Sequence, residues 1–379
     1  MVDHRREAHD EECMARAVAV AERARRRSAP NPWVGAVIVR DGVVVGEGAT
    51  GAPGGPHAEI AALRAAGDRA RGATAYVTLE PCGHHGRTPP CVDALVAAGV
   101  ARVVHAIGDP DPRVAGSGVE GLREAGVEVT SGVGADAAGR QLAPYLHHRR
   151  TGRAWCLVKS AMSLDGRTAA ADGSSRWITG SAARADAHGL RADSQAIVIG
   201  SGTALADRPA LTVRGVEPAP RVPPVRVLLD SQGRVPAEGP LFDGTLGPTM
   251  VLTTERATSS ALDAWRVAGA KVEVVPDRAG QVDLDAALVT LGAHGVLQAM
   301  VEGGAGLHGG LVARGLVDRL VVYLGATLLG TRGHSGFEWS GPESMPGAPR
   351  FALERATVLG GDVRLDYVPA GGARPGTGH

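Results

Sequence analysis

Pro56-His57-Ala58-Glu59 and Pro81-Cys82-Gly83-His84-His85-Gly86-Arg87-Thr88-Pro89-Pro90-Cys91 decide the reading of the first half of this chain. The first stretch opens a helix over residues 57–66, and the second follows an apolar strand over residues 74–79. One histidine and two cysteines make a three-ligand set for zinc that leaves a fourth position to water, as catalytic sites do and closed structural sites do not. Zinc bound in this way acidifies water to near neutral pH. Glu59 cannot share a regular helical face with His57. The two converge only if Pro56 sets His57 at the first turn of the helix. Glu59 is then placed to take a proton from water and deliver it to a leaving amine. Cys82 and Cys91 each precede or open a helix, where the dipole favours thiolate.

Working outward, residues 13–26 show apolar positions at helical spacing, and apolar runs 33–39 and 43–45 flank Asp41-Gly42, a hairpin signal. Helices over residues 92–98 and 119–125 alternate with strands over 100–107 and 127–130. Strand and helix in alternation indicate an α/β sandwich. The polar, basic run His147-His148-Arg149-Arg150-Thr151-Gly152 reads as a linker with solvated histidines. We therefore expect one domain over residues 1–150 and a second over 151–379, with a Gly/Pro-rich disordered tail at 369–379.

Length and composition agree. A chain of 379 residues exceeds one ordinary core, so two domains are expected. Forty basic residues balance forty acidic ones, and only 3% are aromatic, which disfavours a polyanion-gripping protein or a base-stacking platform. The same balance argues against an anionic membrane surface, and no apolar run approaches the roughly 20 residues of a membrane span. Four cysteines are no disulfide scaffold; Cys13 and Cys156 lack ligand context and read as packing. The charged start of the chain, without an apolar core, is not a signal peptide, and we expect a cytoplasmic protein.

The second half restarts with a strand at 155–160 and continues through apolar runs at 196–199, 225–229, 250–252, 272–275, 299–301 and 320–324. Val301-Glu302-Gly303-Gly304-Ala305-Gly306-Leu307-His308-Gly309-Gly310 leaves the 299–301 strand and enters a helix over 307–314, a phosphate-binding arrangement. In a chain with 54 glycines such turns are expected anyway, and taken alone this one reads first as structural. Lys159, one of two lysines beside Lys271, lies in an apolar strand, where a snorkelling edge-strand lysine with no chemistry has even odds.

In its first half the chain resembles the bifunctional riboflavin-biosynthesis deaminase/reductase family. The carriers are Pro30-Asn31-Pro32-Trp33-Val34-Gly35, Thr78-Leu79-Glu80-Pro81-Cys82 and the long His-His-Gly-Arg-Thr-Pro-Pro insert between the cysteines, which departs from the shorter spacing of general base deaminases. Lys159-Ser160-Ala161-Met162-Ser163-Leu164-Asp165-Gly166-Arg167, Ser174–Gly180, Leu190–Ser194, Gly202–Arg214, Leu229-Asp230-Ser231 and the Glu-Gly-Gly turn resemble its reductase half in the same order. The resemblance implies a cytidine-deaminase-like α/β/α sandwich followed by a dihydrofolate-reductase-like α/β domain. It implies one zinc ion on His57, Cys82 and Cys91, with Glu59 shuttling protons and Asn31, His84 and Arg87 at the deaminase substrate. It further implies NADPH lined by Ala161, Trp177, Thr203, Asp207, Ser231 and the run Gly304, Ala305, Gly306, Leu307, His308, Gly309, Gly310. Lys159 would act in hydride transfer. Ser175, Arg191, Leu211, Arg214 and Glu302 would contact a phosphorylated pyrimidine, the two arginines gripping its phosphate. Gly83 for Ser, Ala161 for Gly and Arg208 within Asp207-Arg208-Pro209 depart from the family pattern. We expect a homo-oligomer, dimer or tetramer, without nucleic-acid or membrane partners.

Two other functions compete. One is a tRNA or nucleoside deaminase whose second half only binds nucleic acid, which the neutral charge disfavours. The other is a non-enzymatic zinc-stabilised scaffold.

Overall fold

The computed structural model describes residues 4–83 and 90–371, which divide into two compact units, one ending at Gly152 and the other starting at Arg153. The first unit runs α1 (His4–Ala21), β1 (Gly35–Arg40), β2 (Val43–Ala49), α2 (Ala58–Ala66), β3 (Thr74–Val77), α3 (Cys91–Ala97), β4 (Arg102–His105), α4 (Ser117–Glu124), β5 (Glu128–Ser131) and α5 (Ala135–Thr151). Its strands form one sheet in the order β2-β1-β3-β4-β5. β1 pairs antiparallel with β2 and β3, while β3, β4 and β5 run parallel. Asp41 and Gly42 take positive φ, as the tight turn between β1 and β2 demands.

Small residues let helices lie directly on this sheet. A Cβ at Gly35 would stand 2.0 Å from the Ala17 carbonyl oxygen of α1, and one at Gly48 would stand 2.2 Å from the Ala58 carbonyl oxygen of α2. Gly48 pairs with Ala36, the strand neighbour of Gly35, so the two helices cover opposite faces. The result is a three-layer α/β/α sandwich.

The basic run before Gly152 is not a linker. It is the last turn of α5, whose Leu142, Ala143, Tyr145 and Leu146 are buried and whose Gln141 carbonyl accepts the indole N–H of buried Trp33 at 3.0 Å. His147 and His148 are half-buried, contrary to the expected solvated pair. Gly139 and Pro144 inside the helix obscure it in the sequence. Gly152, left-handed at φ 72°, ends it, its N–H bonded to the His148 carbonyl.

The second unit runs β6 (Trp155–Ser163), β7 (Arg167–Ala169), α6 (Ser181–Ala192), β8 (Ala196–Gly200), α7 (Ser201–Asp207), β9 (Val225–Leu229), β10 (Thr249–Thr253), α8 (Ser259–Val267) and β11 (Lys271–Val274). It continues through β12 (Asp277–Arg278), β13 (Gln281–Val282), α9 (Leu284–Ala293), β14 (Gln298–Val301), α10 (Ala305–Ala313), β15 (Arg319–Gly325), β16 (His334–Ser335), β17 (Phe351–Leu359) and β18 (Asp362–Pro369). Nine strands form its main sheet, ordered β11-β10-β9-β8-β14-β6-β15-β18-β17. All pairs from β11 to β15 are parallel, and β18 and β17 close that edge antiparallel. The central strands read as near-continuous apolar runs because both faces are covered. From β8 the chain moves outward through α7 to β9, whereas from β14 it moves the other way through α10 to β15. The C-terminal ends of β8 and β14 therefore part, leaving the kind of crevice where open α/β sheets take ligands.

The expected disordered tail is corrected in part. Pro369 belongs to β18 and Ala370 donates to the Arg350 carbonyl at 2.8 Å, while residues 372–379 lie outside those described.

Candidate active sites

In the first unit, three element ends deliver the zinc-type donors. His57 is the N-cap of α2, not a residue of its first turn; its extended backbone (φ −68°, ψ 162°) turns the ring out of the helix. Cys82 follows β3, and Cys91 is the first residue of α3. His57 Nδ1 stands 3.2 Å from Cys91 Sγ and 3.6 Å from Cys82 Sγ, and the three donor atoms lie within 4.8 Å of one another. A tetrahedral zinc ion with ordinary Zn–S and Zn–N lengths holds such atoms about 3.5 Å apart, so the set fits.

Glu59, buried beside the Cys91 thiol and close to His57, has its carboxyl pushed up by desolvation. Its placement suits a group that must exist in both proton states. The two thiols share a hydrogen bond. The Cys91 thiol and the His57 ring hold Cys82 down to about 4, and the bond to Cys82 together with burial drives Cys91 up. Of the two sulfurs, Cys82 is thus the one held as thiolate.

Glu80 is the residue whose role sequence reasoning missed, although it lies inside a quoted motif. Its buried carboxylate accepts four backbone N–H groups, from Asp109, Gly116, Gly118 and Val119, at 3.1 to 3.3 Å. It thereby ties the Pro81-Cys82 backbone to the start of α4. Gly118 permits this approach, since a Cβ there would lie 1.8 Å from the Pro81 carbonyl oxygen. Asn31 sits in the turn ahead of β1, its backbone bonded to Ser28 in both directions. His84 and Arg87 lie outside the described residues.

In the second unit the strands around the crevice bring charge together. Glu302, immediately after β14, has Lys159 Nζ of β6 at 3.9 Å and accepts Arg191 Nε and Nη2 at 2.5 and 2.9 Å. Burial pushes the Glu302 carboxyl up, but Arg191 and then Lys159 outweigh it and hold it at about 2. Lys159 also lies over the Tyr323 ring, 5.9 Å from its centre, and the Tyr323 hydroxyl donates to Asp186 at 2.6 Å. His188, not singled out from sequence, feels this group too: burial, then Arg191 and Arg214, push its pKa down.

Two expectations change. The Arg191 fork is engaged with Glu302, and its Nη1 donates to the Thr212 carbonyl at 2.9 Å. The bidentate phosphate grip drawn for it is replaced by a grip on a neighbouring carboxylate, while Arg214 is exposed. Within the glycine-rich run, His308 and Gly309 turn inward. His308 is buried against Phe337, and a Cβ at Gly309 would lie 2.2 Å from the Glu338 carbonyl oxygen. Gly304 to Leu307 remain open to the crevice, where Thr203 Oγ1 comes within 3.4 Å of the Gly304 Cβ position. Ala161 is half-buried in β6, and Leu211 is buried with φ 51°. The Ser231 hydroxyl is bonded to Gln281 and to the Val282 N–H. Ser175 and Asp207 are exposed, as is Trp177, with the Arg184 guanidinium 4.1 Å from its ring centre.

Residues 154–365 match the sequence model of the RibD C-terminal domain, and residues 7–107 match the cytidine and deoxycytidylate deaminase zinc-binding region. Riboflavin biosynthesis protein RibD of Escherichia coli is 43% identical over 371 residues, covering 95% of this chain and 100% of that protein. The chain belongs to the RibD family. RibD of Bacillus amyloliquefaciens is 38% identical, with 96% of this chain and 97% of that protein covered. Among solved structures, Acinetobacter baumannii RibD superposes with a TM-score of 0.86 at 39% identity, covering 96% of this chain and 99% of that one. The deaminase/reductase of Thermotoga maritima gives 0.84 at 30% identity, with 96% and 100% covered. A zinc-binding deaminase domain and an NADPH-dependent RibD reductase domain thus stand in one chain. The reading of the second half as a nucleic-acid-binding module is not favoured, because that half matches the reductase domain. No helix among the described residues is long and apolar enough to cross a membrane.

Proposed function

We propose that this chain catalyses two successive reactions of riboflavin biosynthesis on a phosphorylated pyrimidine. In the first, water replaces the amino group of 2,5-diamino-6-(ribosylamino)pyrimidinone 5′-phosphate. In the second, NADPH reduces the ribosyl group of the product to ribityl. The observation that carries the proposal is the convergence of His57, Cys82 and Cys91 beside buried Glu59, in a chain that aligns end to end with bifunctional relatives.

For deamination, His57, Cys82 and Cys91 would hold zinc, whose contribution is to acidify water. Glu59 takes a proton from that water as its oxygen adds to the ring carbon, then passes a proton to the departing nitrogen, which leaves as ammonia. Asn31, His84 and Arg87 complete the substrate site. For reduction, Gly304 to Leu307 and Thr203 would hold the dinucleotide, with Ala161, Trp177, Asp207 and Ser231, and it would supply the hydride. Hydride adds to the sugar carbon while the Lys159 ammonium gives a proton to the attached heteroatom and regains one from solvent. Glu302 and Arg191 orient Lys159 and the substrate, with Ser175 and Leu211 beside it, and Arg214 takes the phosphate. A cytoplasmic homo-oligomer, dimer or tetramer, belongs to the same proposal.

The test joins metal analysis with ammonia release from the diamino substrate and NADPH oxidation on the deaminated one. Protein that contains no zinc and turns over neither substrate would sink the reading. Ammonia release from RNA but not from the pyrimidine ribotide would favour a base deaminase instead.

A further inference from the structure

The end of β9 explains how the reductase unit would tell NADPH from NADH. In dinucleotide-binding sheets, the strand beside the phosphate-binding turn carries a residue that reads the adenosine ribose: an acid for a free 2′-hydroxyl, an arginine for a 2′-phosphate. Here β8 stands between β9 and β14, which carries the glycine-rich turn; the Ser201–Thr203 segment after β8 reaches that turn, and Asp230-Ser231-Gln232-Gly233-Arg234 follows β9 at the same end of the sheet. Asp230 stands where an acid would bind a 2′-hydroxyl, but it is fully buried and caps its own turn. Its Oδ1 accepts the Gln232 N–H at 3.3 Å and its Oδ2 accepts the Val235 N–H at 2.7 Å.

That turn, with Gly233 at φ 74°, carries exposed Arg234 back toward β8, where Nη2 donates to Ser201 Oγ at 2.5 Å. Ser201 opens the segment whose Thr203 faces Gly304 across the crevice. A withdrawn carboxylate and an advanced guanidinium thus stand at one strand end. The other guanidinium near this edge, Arg208, pairs with Glu238 at 3.3 Å. We infer that Arg234, steadied by Ser201, binds the 2′-phosphate of NADPH and sets the preference for the phosphorylated dinucleotide. The inference rests on the reductase reading of this unit and assigns it a specificity residue. A guanidinium suits a phosphate dianion because it offers parallel N–H donors with permanent charge.

The test is equilibrium titration of the full chain and its Arg234→Ala variant with NADPH and with NADH. For the variant we expect the NADPH dissociation constant to rise about ten- to a hundredfold, with NADH changed by no more than about twofold. Intact NADH binding also shows that the variant is folded. Arg208→Ala, measured alongside, should leave both values unchanged. Equal weakening of the two dinucleotides, no weakening, or a selective loss at Arg208→Ala instead would overturn the assignment. Wild-type protein that binds both dinucleotides equally overturns it while the reductase reading stands. Wild-type protein that binds neither removes both.

Discussion

Arg191 and Glu302, 111 residues apart in sequence, meet as a two-pronged ion pair inside the second unit. Lys159 approaches the same carboxylate from β6. Removing Arg191 would leave Lys159 as the nearest cation for a buried carboxylate and draw its ammonium from the substrate. Arg191→Ala should therefore slow NADPH oxidation by about a hundredfold or more, a loss in the range of a misplaced acid–base group. Ammonia release by the same protein should be unchanged. Equal loss of both activities would mean that the variant simply misfolds.

The same pair sets an acid limit. The Glu302 carboxyl is held at about 2, below its ordinary value of 4.5. A depressed carboxyl contributes stability that is complete above its unfolded value and is lost as pH falls through the folded one. Melting of the second unit should then fall between about pH 4.5 and 2, and Glu302→Gln should flatten that dependence. Thermal melts of wild type and Glu302→Gln across this range, followed by tryptophan fluorescence, provide the measurement.

Glu59→Gln should abolish ammonia release, by about a hundred- to ten-thousandfold for a lost general acid–base, and leave zinc content and NADPH oxidation intact. The amide keeps the volume of a buried side chain next to Cys91 but cannot carry the proton. Full deaminase activity in this variant would show that Glu59 is not the group that carries the proton.

Legibility in the sequence followed locality. The donors His57, Cys82 and Cys91 were readable because each sits at the boundary of an apolar run, and the Asp41-Gly42 hairpin because two residues decide it. Helix α5 was not, since Gly139 and Pro144 interrupt its pattern and its basic end imitates a linker. The β17–β18 hairpin escaped because β17 is largely exposed, although Gly360-Gly361 between Leu359 and its partner Asp362 is a turn signal that could have found it. Long-range charge partners left no local trace. The Arg191 fork closes on Glu302, 111 residues away, and the Glu80 carboxylate on four amides 29 to 39 residues away, distances at which no sequence pattern marks a partner.

The Glu80 contacts predict a metal phenotype for residues that are not ligands. Gly118→Ala would force apart the Pro81 carbonyl and the start of α4, and Glu80→Ala would free the Cys82 segment from that helix. Residues that support ligands in this way typically change metal affinity about ten- to a hundredfold. Both variants should surrender zinc to a chelator that much more readily, with NADPH oxidation as an internal control. Wild-type zinc retention in Glu80→Ala would show that the clamp does not position Cys82.

The first unit also contains a buried pair remote in sequence from its site. Asp10 of α1 accepts Arg102 Nη1 and Nη2 of β4 at 2.8 and 2.7 Å and the Tyr76 hydroxyl of β3 at 2.7 Å. Asp10→Ala leaves Arg102 with Thr130 and the more exposed Glu128 carboxylate, 3.3 Å from its Nε, and should cost about 1–3 kcal/mol, the range for losing a charged hydrogen-bond partner. Burial alone would raise the Asp10 carboxyl, yet the hydrogen bonds from Arg102 and Tyr76 outweigh it and hold it below its ordinary 3.8. Its contribution is therefore complete above about pH 4 and fades as pH falls through the lowered folded value. Urea unfolding of wild type and Asp10→Ala at pH 7 and pH 3 should show the gap between them narrowing at the lower pH. A gap that stayed constant would mean that folding does not lower the Asp10 pKa, and one that widened would mean that folding raises it.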